Sequence, residues 1–267
     1  MSRFHSSDES TLWRRVLLYL FARYFELPLL SLSFSFLRGR WKRLGHNPFI
    51  RLMLGWTLAA PFARLADTAK PFPFPQILNW LEHVDGPIAV GPCRCRISHQ
   101  ACPHPLETDI VIRSGVEAWS KAFPEDYRLI SLEEAKEIIT SCHNLGMWQM
   151  VFIHCPAHGG TEYVICNCCT CGCVPYILNR ELGQKVYPFI PGPYISKTDL
   201  ARCEGLGECV KACPFGARAI RQGKSHLVGM CFGCGRCVEA CPNKAIIMVK
   251  RYDLHGIYPE AVRAGTV

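Results

Sequence analysis

The run Cys231-Phe-Gly-Cys234-Gly-Arg-Cys237-Val-Glu-Ala-Cys241-Pro242 constrains this chain more than any other segment. Cysteines spaced so closely cannot pair usefully as disulfides, but they can wrap one soft metal centre. The fourth cysteine, just before proline, reaches away toward a second centre, so a second run is expected. It is present as Cys203-Glu-Gly-Leu206-Gly-Glu-Cys209-Val-Lys-Ala-Cys213-Pro214, with Leu206 where the second cysteine belongs. Glycines at 205, 207, 233 and 235 let the backbone fold tightly and point amide N–H groups at sulfur. Pro214 and Pro242 fix the chain as it leaves each centre. Ala219-Ile220 and Ala245-Ile246-Ile247 follow at matching places, as an internal repeat requires.

This segment, about residues 194–251, resembles the bacterial dicluster ferredoxins. The resemblance implies crossed ligand sets. Cys213, Cys231, Cys234 and Cys237 would hold a complete [4Fe–4S] cluster. Cys203, Cys209 and Cys241 would form an incomplete site for a [3Fe–4S] cluster, for a [4Fe–4S] cluster with one open iron, or for none. An occupied site is favoured because three of its four positions persist. A zinc ribbon, built from paired knuckles far apart in sequence, fits poorly.

A second cysteine-rich module lies upstream. It comprises Cys93-Arg-Cys95-Arg96, Cys102, and Cys166-Asn-Cys168-Cys169-Thr-Cys171-Gly-Cys173. Such density implies thiolates gathered around soft metal, and adjacent Cys168 and Cys169 must point in different directions. Arg94 and Arg96 would offset thiolate charge and lower thiol pKa values. The C-x-C-R and I-C-N-C-C patterns resemble a family of iron–sulfur proteins from anaerobes in which both precede a dicluster segment. That resemblance covers roughly residues 85–250 and implies redox chemistry without naming a substrate. Cys93, Cys95, Cys102, Cys166, Cys168, Cys169, Cys171 and Cys173 are candidate ligands of a third iron–sulfur cluster, with zinc or redox-active thiols as alternatives. Cys142, His143, His154 and Cys155 are weaker candidates, because a lone histidine is more often a satisfied core or surface residue. His158-Gly-Gly160 reads as a turn.

The expected fold class is α+β, in four stretches: basic amphipathic helices at 1–70, a small cysteine-rich α/β domain at 76–190, the dicluster domain at 194–251, and a tail at 252–267. Prolines at 71, 73 and 75, and again at 188, 191 and 193, punctuate the first two boundaries. Short apolar runs at 88–90, 109–112, 150–153 and 163–165 read as strands. Ser131-Leu-Glu-Glu134 is a capping box for a helix through Ala135, Ile138 and Ile139 that ends near Gly146.

The formal charge of +8 is concentrated at the N-terminus, where residues 1–70 carry eleven Lys/Arg against four Asp/Glu. A helical wheel over 14–26 places Val16, Leu17, Leu18, Leu20, Phe21, Tyr24 and Phe25 on one arc, and Arg15, Tyr19, Ala22, Arg23 and Glu26 on the other. The apolar run continues past Pro28 to Leu37, and residues 49–66 repeat the theme. Neither reaches the roughly 20 uninterrupted apolar residues of a spanning helix. An in-plane membrane helix or one docked on an integral-membrane subunit is the leading reading, with ordinary core helices and a true span as alternatives. Basic residues threaded through apolar sequence argue against nucleic acid and for a membrane surface or acidic partner. The first apolar run, broken by Arg23 and Glu26, lacks a small-residue cleavage site, which points to a reducing, cytoplasmic location on the inner face of the cell membrane.

These features point first to an electron-transfer protein that relays single electrons to or within a larger oxidoreductase complex. An iron–sulfur reductase or activating enzyme using an open-coordination cluster, and a cluster or metal assembly factor, are the alternatives. No acid/base pair, phosphate-binding loop or nucleotide fingerprint marks a catalytic residue.

Overall fold

A computed structural model of the protein describes residues 12–59, 67–100, 102–154, 162–187 and 190–251. Its centre is a six-stranded sheet formed by β1 (Asp67–Phe72), β2 (Ile88–Pro92), β3 (Glu107–Ile112), β4 (Arg128–Ile130), β5 (Trp148–His154) and β6 (Glu162–Cys168). The order is β1-β5-β6-β3-β2-β4, and every neighbouring pair is antiparallel. The four strands expected from apolar runs are all present.

Side chains alternate across the sheet, yet both faces are apolar. Ile88, Val90, Ile110, Ile112, Val151 and Ile165 face one side, packed by Ile77, Trp80 and Leu81 of helix Phe74–Leu81 and by Ala135 and Ile139 of helix Leu132–Asn144. Ala89, Val111, Met150, Phe152 and Val164 face the other, beneath Val116 and Trp119 of helix Ser114–Ala122 and Val174 and Ile177 of helix Val174–Leu182. Period-two alternation with both faces buried is the pattern of a sheet between helical layers, each buried Ile or Val contributing about 1.5–3 kcal/mol.

Two features shift the expected boundaries. Strand β1 spans the point where the N-terminal segment was expected to end, so residues assigned to that segment supply an edge of the sheet. Pro71 lies within β1, and the edge is where a strand tolerates a residue without an N–H. The N-terminal helices also pack on the sheet domain. Helix Leu12–Leu20 passes through a π turn, Phe21–Phe25, into helix Glu26–Leu37, whose Leu30 and Leu37 join the core with Ala22. The chain then forms helices Lys42–Gly45 and Pro48–Leu54. The latter is capped by the Asn47 side chain, which accepts from the N–H groups of Phe49 (3.0 Å) and Ile50 (3.3 Å).

The wheel's two arcs are reversed relative to the protein body. Ala22 is buried, Tyr19 packs against the core, and Glu26 is held by Arg94 and Trp119, all from the arc read as polar. Of the apolar arc, Phe21 turns inward, while Val16, Leu20, Tyr24 and Phe25 are exposed. A buried cation opposite Glu26 outweighs the apolar count in setting which side faces in. Among the described residues no helix is long and apolar enough to cross a membrane.

The C-terminal segment repeats one unit twice. The short helices Glu208–Lys211 and Arg236–Glu239 start after Gly207 (φ +84°) and Gly235 (φ +81°), a left-handed conformation that glycine adopts freely. Strand β7 (Tyr194–Thr198) pairs with β10 (Ile246–Lys250), and β8 (Arg218–Arg221) with β9 (Lys224–Leu227). Contacts of His143 and Tyr176 help to fasten the unit to the sheet domain. His143 stacks on Phe74 at 3.9 Å and meets Glu239 at 2.9 Å. The Tyr176 hydroxyl donates to the Pro214 carbonyl at 2.6 Å. Residues 252–267, expected as a tail, lie outside the described residues.

The cap of helix Leu132–Asn144 is as expected at one end of the box: the Ser131 hydroxyl accepts from Glu134 N–H at 3.1 Å. Glu134 turns its carboxylate to Arg128, 2.7 Å away, instead of back to Ser131. Ser131→Ala therefore removes one cap bond, and its expected cost is about 1 kcal/mol in denaturant unfolding.

Candidate metal centres

Two cavities of about 310 Å³ each occupy the C-terminal unit. Cys203, Cys209 and Cys241 line one, together with Leu206; Cys213, Cys231, Cys234 and Cys237 line the other. The chain thus crosses over, placing Cys213 with Cys231, Cys234 and Cys237, and Cys241 with Cys203 and Cys209. The sulfurs meet backbone N–H groups and hydroxyls. Ser225 N donates to Cys203 Sγ, Ala217 N to Cys213 Sγ and Ala245 N to Cys241 Sγ, each at 3.3 Å. Glycine is required for the close approach at 205, where a Cβ would lie 2.2 Å from the Gly223 carbonyl oxygen. Thiol donors converging on one recess and N–H groups aimed at sulfur together fit iron–sulfur clusters.

Leu206 is 56% exposed, so the cavity it borders opens outward. Arg218, 3% exposed, lines one cavity and reaches Ser225 in the wall of the other. Its guanidinium donates to Ser196 (3.0 Å), Thr198 (2.9 Å) and Ser225 (2.7 Å). Ser225 in turn meets Cys209 Sγ at 3.2 Å, and Ser196 meets Cys231 Sγ at 3.6 Å.

The upstream cysteines do not form one group. Cys166 and Cys168, two apart on β6, face the side covered by helix Val174–Leu182. Cys168 meets Cys173 Sγ there at 3.5 Å, and Cys95 and Cys93 continue the chain of thiols. Hydrogen bonds with Cys95, Cys166 and Cys168 respectively, then burial, push the thiols of Cys93, Cys168 and Cys173 well up. A soft metal reverses this by binding the thiolates directly. Beside Cys93, Cys95 and Cys166 is a cavity of about 520 Å³, also lined by Glu26, Arg94 and Asp109. Burial, opposed by Arg94, raises the Glu26 carboxyl to about 8. Asp109, also raised by burial, accepts from the Tyr127 hydroxyl at 2.9 Å and from Cys166 Sγ at 3.3 Å.

Cys169 faces the opposite way. It lies 3.4 Å from Cys102 Sγ and 3.3 Å from Cys171 Sγ, and Cys102 and Cys171 are 3.2 Å apart. His104 Nδ1 completes the group, 3.2 Å from Cys102 and 3.5 Å from Cys171. All four ligand atoms lie within 4.8 Å of one another. The sequence reading missed His104; its signal is the Cys102-Pro-His104 spacing. Buried Arg96 stands between the two thiol groups and donates to Thr108 (2.7 Å) and the Asn167 carbonyl (2.6 Å). Cys142 is buried beside Cys169 outside the tetrad, and His143 joins the two parts of the chain. The side chain of His154, along with Cys155 and the turn at 158–160, lies outside what the structure describes.

A buried cation raises the reduction potential of a neighbouring anionic centre. Arg218→Gln is expected to lower the potential of the iron–sulfur centre held by Cys213, Cys231, Cys234 and Cys237 by on the order of tens of millivolts in an EPR-monitored redox titration.

Residues 195–242 match the family model of a 4Fe-4S dicluster domain. Comparison of the chain with curated proteins and with solved structures yields no match. The C-terminal unit is thus an iron–sulfur domain of dicluster type, joined to a sheet domain with cysteine groups of its own.

Proposed function

We propose that this protein transfers electrons one at a time between redox partners, with Cys93, Cys95, Cys166, Cys168 and Cys173 holding an iron–sulfur centre at one end of a row and the Leu206 site at the other. A continuous aromatic seam between the upstream thiols and the cavity of Cys213, Cys231, Cys234 and Cys237 carries this reading. Trp148 meets Tyr176 at 5.2 Å and Phe215 at 5.7 Å, and Phe215 meets Phe232 at 4.6 Å. Tyr176 sits in the helix that begins after Cys173, while Phe215 and Phe232 line the C-terminal cavity. Clusters bound at these thiols supply one-electron chemistry. The seam excludes water between the sites, and Arg218 and the hydroxyls around it set the local field. At the outward end, exposed Leu206 sits between exposed Glu204 and Glu208, the latter paired with Lys211 at 2.8 Å, a surface of mixed charge on which a redox partner can dock transiently.

The incomplete site is read as holding a [3Fe–4S] cluster, because Leu206 offers no ligand. Leu206→Cys is expected to abolish the oxidised-state [3Fe–4S] EPR signal and raise the iron content. Absence of that signal in the unaltered protein, with iron for one cubane alone, would sink this assignment. Iron and sulfide exceeding what the dicluster domain holds is the expected mark of the upstream centre.

The N-terminal surface suits a membrane on the cytoplasmic side, beside an integral-membrane redox subunit. Trp13, Phe25, Trp41, Phe49, Leu52 and Trp56 are all exposed there, amid exposed Arg23, Arg38, Arg40, Lys42 and Arg43. Apolar side chains interleaved with cations bind an interface by burial and by attraction to anionic lipid. The full chain is expected to float with vesicles containing phosphatidylserine. A Phe49→Ser, Leu52→Ser, Trp56→Ser variant is expected to remain behind, and equal flotation of the two would refute membrane docking.

A second reading, a reductase acting on a small molecule, is favoured by the cavity beside Cys93. Glu26 is placed there to supply a proton at neutral pH. Glu26→Gln separates the two readings, since it spares electron transfer between artificial partners but abolishes turnover of a substrate bound in the cavity.

A further inference from the structure

We infer that Cys102, His104, Cys169 and Cys171 form a structural site for a single zinc ion, separate from every iron–sulfur centre of the chain. Spacing decides between one ion and a cluster. In a cubane each thiolate binds a different iron, and in a two-iron cluster the four ligands form two pairs on separate irons, so in neither do all four crowd together. Around one ion they crowd together: with Zn–S bonds of about 2.3 Å, tetrahedral geometry sets sulfurs about 3.8 Å apart. The three thiols lie 3.2–3.4 Å from one another and His104 Nδ1 is 3.2–3.5 Å from two of them, so a bound ion need spread the group only slightly. Three thiolates and one neutral imidazole give a zinc site a net charge of −1. Arg96, 1% exposed and facing Cys169, supplies the compensating charge from the adjoining shell. Soft sulfur with one imidazole, closed and tetrahedral, suits zinc, which binds such sites more tightly than ferrous iron.

The site has a definite mechanical role. Cys169 and Cys171 belong to the turn that leads from β6 to Cys173, while Cys102 and His104 follow helix Arg94–His99. Gly172 lets the two segments meet, since a Cβ there would lie 2.8 Å from the Cys102 Cβ. A zinc ion would therefore tie together the two segments that supply Cys95, Cys168 and Cys173 to the other thiol group.

The test is metal analysis of the full chain purified anaerobically. One zinc per chain is expected in addition to iron. Cys171→Ser should lose the zinc, and Cys142→Ser, adjacent but outside the tetrad, should keep it. His104→Cys guards against a folding failure: it should retain the ion, and with cobalt(II) in place of zinc its absorption should shift from that of an S₃N site to that of an S₄ site. Iron instead of zinc at the tetrad, zinc retained by Cys171→Ser, or a cobalt spectrum unchanged by His104→Cys would each overturn the assignment.

Discussion

The pleat of strand β6 is the constraint on which the arrangement of this protein depends. Successive side chains of a strand leave opposite faces, so Cys166 and Cys168 go one way together. The chain turns immediately afterward and sends Cys169 the other way. Two thiol groups with different surroundings arise from eight consecutive residues. One, largely buried beside a cavity and an aromatic seam, suits redox chemistry; the other, compact and completed by histidine, suits a single ion. Arg96 between them hydrogen-bonds to loop and strand and offsets negative charge on both sides. Because an unpaired buried cation is costly, its presence argues that the surrounding sulfurs carry negative charge in the working protein.

The same logic recurs in the C-terminal unit, where Arg218 lines one cavity and donates to hydroxyls, one of them in the wall of the other. Each cysteine-rich part of the chain thus contains buried arginine beside thiols, Arg94 and Arg96 upstream and Arg218 in the C-terminal unit. The aromatic seam through Trp148, Tyr176, Phe215 and Phe232 joins the two parts by packing.

Local features were legible in the sequence and long-range ones were not. The Ser131 cap is decided by four adjacent residues, and β2, β3, β5 and β6 by their own apolar runs. The crossed C-terminal runs are decided by spacing whose geometry admits few solutions. By contrast, β1 was obscured by Pro71, which reads as a break unless the strand is known to be an edge. The inward face of the first helices was misjudged because Arg94, 68 residues beyond Glu26, chooses it. Division of the upstream cysteines into two groups depends on β6 meeting the loop at 102–104. A reading centred on cysteine passed over His104, although it lies two residues from Cys102.

The π turn at Phe21–Phe25 gives the N-terminal helix one point at which its length can change. A π turn accommodates one residue more than an α turn, and each α-helical residue rotates a helix by about 100°. Losing one residue within the π turn would let the helix revert to α geometry with its two flanks nearly in phase, and Glu26 would still face Trp119 and Arg94. Losing one residue between the π turn and Glu26 would instead swing that carboxylate away, so the turn is the place where the path from the outer apolar surface to the inner thiol cavity can be shortened.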